Sequence, residues 1–403
     1  MTLAERAQSK LGYAAFDADS HYYEPHDAFT RHLESKYADR SLHVRIGDDG
    51  LGRLWFGDRK CGLMKVTQTD YTGAPGSRVK FFQTLEDDGS GWRQTDVINA
   101  HDHPAMMQKA ARLKLMDEQG IDATLMFPTV GVAVEDDLHT DLEAMYAAYR
   151  AFNRWLEEDW GYGDDGRIYG VPMISLKDPD QAVAELERVL DRGARMVYHK
   201  RGPLFGESLA SPSRDRFWGL VQEADIPVAF HTGNAGYNQT WAVQWGEHPN
   251  PPIQYTSPFA SYLGGTATQD TFANLILNNL FERFPRLRIV SVENGAMWIP
   301  ELLKRMDKAA AFGRNADGLG GRFTAKASEV FKEHFIVCPF FEEDPVPVID
   351  WIGADHVLFG SDWPHPEGLA EPLDFADKLV GRVDDDTLYK VMRANVAELV
   401  KHG

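Results

Sequence analysis

The chain has 403 residues, 43% of them hydrophobic, with a formal net charge of −19 at pH 7. Such a chain can bury a sizeable core as one large domain or two ordinary ones, and its acidity excludes nucleic acid and anionic membranes as partners, since both need a basic face. The two cysteines, Cys61 and Cys338, make neither a disulfide framework nor a thiolate metal site, and no run approaches a membrane span, so a reducing, cytoplasmic setting is expected.

The first apolar run, "AAFDAD" (14–19), predicts a strand that continues into "SHYYEP". Strand side chains alternate faces, which sets Asp17, Asp19 and His21 on one side. Unpaired charges in a buried strand are costly, so a cation is the first candidate to neutralise them. Residues 43–103 are rich in Gly, Asp and aromatics, and "HVRIGDDGLGRLWFG" predicts a hairpin turning at "DDG". Beyond it, strands are expected at 122–128, 168–174, 194–199, 226–231, 287–293, 334–339 and 356–362. Helical patterns at 104–119, 136–160, 178–192, 212–224, 267–283, 295–312, 322–333 and 344–352 separate them, and a last helix spans 385–400. The stretch "DPDQAVAELERVLDRG" is a clear case: acidic residues and Pro179 open it, apolar residues recur at helical spacing, and Gly193 closes it. Eight strands alternating with helices predict an α/β fold, a single TIM-type (β/α)8 barrel domain over 1–403. Residues 43–103 and 232–266 are its insertions, expected to cover the mouth.

Catalytic groups of such barrels sit at the C-terminal ends of the strands. Here the first strand ends with Asp19 and His21, the fourth with His199 and Lys200, the fifth with His231, the sixth with Glu293 and the eighth with Asp362. Each has an ordinary explanation alone: a core histidine, an acid at a helix start, a capping aspartate. Five metal-capable ends at one rim of one barrel together point to a metal centre. The second and seventh strands end instead in prolines and apolar residues. Asp17 is expected to sit deeper and bind backbone or orient a ligand, and Glu24 to cap a loop. Tyr237, Trp241, Trp245, Tyr255 and Trp363 suggest an aromatic-lined mouth, or packing elsewhere.

The motifs "DADSHYYEP", "AFHTGN", "SVENGAMWIPELLKRMD", "FGSDWPHPEG" and "RANVAEL" resemble the amidohydrolase superfamily, in its amidohydrolase-2 branch around aminocarboxymuconate semialdehyde decarboxylase. By position, the resemblance implies Asp19, His21, His231 and Asp362 as ligands of a divalent metal, with Zn, Mn and Fe all compatible. Two departures stand out: Asp19 occupies a position that is His in the decarboxylase, and Glu293 stands where that enzyme has a catalytic His. One ion is expected. A second would need His199 or Lys200 to point inward and Glu293 to bridge, and only one of two adjacent residues can face the barrel interior.

The expected activity is that of a metal-dependent hydrolase or non-oxidative decarboxylase acting on a small organic acid, aromatic or acyl compound. Asp362 is the candidate ligand and general base, Glu293 an acid–base partner or an orienter of His231, and His365 a proton donor or substrate contact. Glu293 in place of His favours hydrolysis slightly. Lys200 and Arg201 are alternatively an anion clamp. A binuclear non-haem iron oxygenase is the second reading, and a non-catalytic subunit beside a paralogous partner the third. The resemblance also implies a homo-oligomer.

Overall fold

The computed structural model describes residues 10–62, 66–85, 97–204, 206–249 and 256–401. Among the described residues seven strands run parallel: β1 (Ala15–Tyr22), β2 (Ile121–Pro128), β3 (Ile168–Gly170), β4 (Val197–Lys200), β5 (Val228–His231), β6 (Ile289–Val292) and β7 (Phe335–Val337). Nearly every residue in them is buried, as expected for strands covered on both faces. They pair in the orders β1-β2-β3 and β7-β6-β5-β4. Two irregular segments join these sheets into a closed ring. Pro172–Ile174 bridges β3 to β4, with Tyr198 N donating to Pro172 O at 2.9 Å and Ile174 N to Tyr198 O at 3.0 Å. The expected eighth strand is an extended stave rather than a regular strand. Its Leu358 N donates to Val337 O (2.9 Å), Phe359 O accepts from Ala18 N (2.9 Å), and Asp362 N donates to Asp19 O (2.8 Å).

Asp17 holds that closure. Its Oδ1 accepts from the amides of Asp19 (3.1 Å) and Ser361 (3.0 Å), and its Oδ2 from Ser361 Oγ (2.5 Å). Burial pushes its carboxyl up to about 7, against the pull of those hydrogen bonds. The first carboxylate of "DADSH" thus joins the stave to β1 and takes no part in the rim. Glu24 caps a loop, as expected, with Oε1 accepting from Val130 N (2.9 Å) and Gly131 N (3.2 Å).

Helices wrap the ring with their apolar faces inward. Leu142–Asp159 starts where Asp141 accepts from Ala144 N, and Pro179–Asp191 where Asp178 accepts from Asp180 N and Gln181 N. The hairpin forms between Leu42–Ile46 and Gly52–Phe56, and residues 47–51 make its turn. Further on, the first insertion folds back over the mouth through a short helix, Val79–Thr84. Gly76 N donates to His365 O (3.3 Å) and Arg78 N to Pro366 O (2.7 Å). The second insertion is shorter than the composition suggests. Its helix begins at Pro258, capped by Ser257 on Ala260 N, and runs through Gly264 and Gly265 to Leu277. Two glycines in a helix weaken it without stopping it once the following turns are packed. Among the described residues, no helix is long and apolar enough to cross a membrane.

Two measurements check this account. Asp17→Ala removes three hydrogen bonds at the closure and is expected to lower the unfolding free energy by about 3 kcal/mol at roughly 1 each, while Asp17→Asn retains most of it; urea unfolding reads the difference. Glu24 and Glu135 are both pushed up to about 7, chiefly by burial. The unfolded chain releases these protons near the ordinary carboxyl value and the folded chain only near 7. Their contribution is therefore full below that ordinary value and is lost as pH rises towards 7. Glu24→Gln and Glu135→Gln should flatten the fall in stability between about pH 5 and 7, the window set by ordinary and raised carboxyls.

Candidate metal centre

Asp19 and His21 leave β1 two residues apart on its inner face, and His231 ends β5. The β4–β5 register pairs His231 with Lys200 and Phe230 with His199, which sorts the four side chains onto two faces. Glu293 directly follows β6, and Asp362 ends the closing stave. Among the described residues, Glu293 (φ 50°) and Asp362 (φ 56°) are the non-glycine residues in the left-handed region that do not flank a helix. Holding a side chain there costs on the order of 1–3 kcal/mol, and here it turns both carboxylates over the barrel end.

The donor atoms converge. His21 Nε2 and His231 Nε2 lie 3.1 Å apart, and each is 3.4 Å from Asp19 Oδ1. Glu293 Oε2 is 3.4 Å from His231 Nε2, and Asp362 Oδ1 is 3.4 Å from His21 Nε2. The other ring nitrogens face carbonyls: His21 Nδ1 is 3.2 Å from Pro128 O and His231 Nδ1 2.9 Å from Thr232 O. A carbonyl only accepts, so both Nδ1 atoms carry a proton and both Nε2 atoms turn towards the carboxylates. Two imidazole nitrogens and three carboxylates then face one another at short range, a crowding of donors that a cation between them neutralises. The spacings agree: ligands about 2.0–2.2 Å from one ion are separated by about 3.0–3.5 Å at tetrahedral to octahedral angles.

Electrostatics point the same way. Burial and the adjacent His365 depress His21 to about 3, so its ring is neutral. Glu293 and Asp362 are driven well above the usual carboxyl range, first by burial and then by neighbouring carboxylates, Asp19 in both cases. Without a cation, this rim cannot hold all its charges.

His365 completes the group. Thr129 Oγ1 donates to Tyr22 O at 2.7 Å and therefore accepts from His365 Nε2 at 3.0 Å. That leaves His365 Nδ1 facing Asp362 Oδ1 at 2.6 Å, close enough for one proton to be shared between them. The imidazole also lies tilted against His21, with ring centroids 4.1 Å apart.

His199, a candidate second-metal ligand, is not part of this cluster. It shares the outward face with Phe230, its Nδ1 bonds Ile174 O at 2.8 Å, and its ring lies against Phe230. Lys200 faces inward but pairs with Asp136 at 2.9 Å, buried. Arg201 donates to Thr268 (2.8 Å), Thr232 (3.1 Å) and Gly233 O (3.3 Å). Strand β4 thus adds no donor to the cluster.

A cavity of about 240 Å³ opens beside the donors, lined by Asp19, Glu293 and Asp362, by Phe82, Phe340 and Phe341, and by the further carboxylates Glu342 and Glu367. Its aromatic wall is not the expected one. Trp241 and Trp245 are exposed, Tyr237 is buried with its hydroxyl on Asp270 (2.6 Å), and Trp363 lies under Arg112 (3.9 Å to the ring). Tyr255 falls outside the described residues. The phenylalanines come from the first insertion and from the segment after β7, where the acidic residues of "CPFFEED" read in sequence as the start of the helix that follows.

Known proteins share this fold. A solved structure of the amidohydrolase map2389c from Mycobacterium avium subsp. paratuberculosis superposes with a TM-score of 0.88 at 36% identity, covering 97% of this chain and all of that one. A gamma-resorcylate decarboxylase of Rhizobium sp. is 26% identical over 332 residues, 77% of this chain and 95% of the relative. A dihydroxybenzoic acid decarboxylase of Polaromonas sp., solved with manganese and the inhibitor 2-nitroresorcinol, shares the fold at a TM-score of 0.56 and 20% identity, over 82% of this chain and 95% of its own. The family profile described as amidohydrolase matches residues 98–401, which include His231, Glu293 and Asp362. With its barrel closed by an eighth stave and its donors gathered at the C-terminal rim, this chain belongs to the amidohydrolase family.

Proposed function

We propose that this chain is a metal-dependent, non-oxidative decarboxylase of a small aromatic carboxylic acid. The observation that carries this reading is the Asp362–His365 pair, 2.6 Å apart, set between the convergent donors and a phenylalanine-walled cavity. Asp19, His21 and His231, with Glu293 or Asp362, would hold one divalent ion. When bound, such an ion supplies Lewis-acid polarisation of substrate oxygens. Relatives named for decarboxylation of dihydroxybenzoic acids support the substrate class.

The chain's own groups account for the rest. Phe82, Phe340 and Phe341 bury the ring face and exclude water from it. Breaking the ring-carbon–carboxylate bond releases CO2 and leaves the electron pair on the ring carbon. That carbon then needs one proton, and the Asp362–His365 pair holds one at the cavity edge. Thr129 keeps the imidazole in the tautomer that shares its Nδ1 position with Asp362. Hydrolysis draws support from Glu293, a carboxylate able to take a proton from water; the oxygenase reading loses its support with His199 turned outward.

Protein loaded with Mn²⁺ should release CO2 from one or more hydroxybenzoic acids and incorporate one solvent deuterium per turnover at the vacated carbon. Turnover of acyl or amide substrates, with no aromatic acid decarboxylated, would reject the proposal in favour of hydrolysis. Chelation should abolish activity, and Mn²⁺ should restore it. In Asp362→Asn and His365→Asn the proton source is lost, and kcat should fall by about 10²–10⁴. Phe82→Ala should instead raise KM by roughly tenfold, the equivalent of about 1–1.5 kcal/mol of aromatic contact, with kcat largely kept. Steady-state kinetics separates the two outcomes.

A further inference from the structure

A second set of converging donors lies outside the barrel rim. His26 follows β1, Asp70 comes from the middle of the first insertion, and His101 from its end, yet one atom from each lies within 4.8 Å of the other two. His26 Nε2 is 2.9 Å from Asp70 Oδ2, and His101 Nε2 is 3.4 Å from Asp70 Oδ1. The two rings approach the carboxylate from different directions, 5.8 Å apart and 82° to each other. From these contacts the geometry points to a second divalent-cation site, made by His26, Asp70 and His101, that pins the first insertion to the loop after β1.

The carboxylate is prepared for this role. Asp70 is buried, and its Oδ2 accepts from Gly52 N (2.6 Å) and Thr67 Oγ1 (2.8 Å), with His26 Nε2 at 2.9 Å beside it. These bonds fix the carboxyl plane and direct Oδ1 towards His101. The separation there is longer than a hydrogen bond but matches the edge of a coordination shell, about 3.0–3.5 Å for ligands 2.0–2.2 Å from one ion. Backbone contacts hold the surrounding segments in register: Thr69 Oγ1 donates to Glu24 O (2.5 Å) and Ala100 N to Thr69 O (3.0 Å). His101 is half exposed, and Asn99 fixes its backbone by accepting from His101 N at 2.9 Å.

Two imidazoles and one carboxylate select a borderline transition ion such as Zn²⁺ over Mg²⁺ or Ca²⁺, which require oxygen shells. With three protein donors and one half-exposed ring, water fills the remaining positions. The site lies in the same insertion that delivers Arg78 and Phe82 to the barrel mouth, so occupancy would stiffen the segment over the cavity.

The test counts Zn²⁺ bound per chain after equilibrium dialysis of the full-length protein against Zn²⁺ alone. Wild type should bind one equivalent more than His101→Ala and His26→Ala, and the Zn²⁺-induced rise in Tm should shrink in both. Asp362→Asn, which touches only the barrel donors, should keep the His101-dependent equivalent, so the two sites succeed or fail separately. Because His101 is half exposed, its replacement leaves the core intact, and His101→Gln provides a polar control that should also lose the ion. Equal Zn²⁺ stoichiometry in wild type and all three histidine variants would overturn the site.

Discussion

The structure of the rim follows from an electrostatic conflict. Asp19, Glu293 and Asp362 are brought within about 3.4 Å of two imidazole nitrogens whose protons are committed to backbone carbonyls on the far side of each ring. Three carboxylates this close repel one another when ionised, and burial makes that repulsion stronger than it would be in water. A divalent cation removes the conflict at once. The backbone accepts left-handed strain at Glu293 and Asp362 to keep their carboxylates aimed at that point, a cost that only a functional constraint maintains.

Barrel closure and the site are mechanically one feature. The stave that carries Asp362 is not a regular strand, so ladder hydrogen bonds alone do not fix its position. Asp17 supplies the missing bonds by gripping the Ser361 amide and hydroxyl, and through Ser361 it positions Asp362, the next residue. Arg112 works from the other side. Fully buried, it donates to Ser20 Oγ (2.7 Å), Ala105 O (2.8 Å) and His21 O while lying over the Trp363 ring. A guanidinium is one of the few side chains that can bind three acceptors from separate segments in one plane. The donor set is therefore rigid before any ligand arrives, which favours a fixed coordination geometry.

The cavity explains how one rim could support decarboxylation rather than hydrolysis. The same donors can polarise water or a substrate oxygen, and the outcome depends on what fills the space beside them. Here that space has a phenylalanine wall and a proton-sharing Asp362–His365 pair, a combination suited to an apolar ring that must be protonated at carbon. The first insertion contributes Phe82 to this wall and meets the loop after β1 where Asp70 lies 2.9 Å from His26, so chain far from the rim in sequence shapes the substrate space.

The sequence by itself determined the barrel class, the positions of seven of its strands and the polar residues at their ends. Strands buried on both faces must be nearly all apolar, so polar residues at their ends stand out: Asp19, His21, His231, Glu293 and Asp362 could be read directly. Tertiary structure alone decided which of two neighbours on β4 faced inward, because a four-residue strand with apolar surroundings on both sides offers no alternation to read; the register with β5 turned His199 out and Lys200 in. It also decided the cavity wall. Phe82, Phe340 and Phe341 look like ordinary core residues in sequence, whereas Trp241 and Trp245, which looked functional, are exposed. Apolar side chains carry no chemical mark of what they enclose, whereas a buried charge needs a partner, and this difference separates what could be read from what had to be seen.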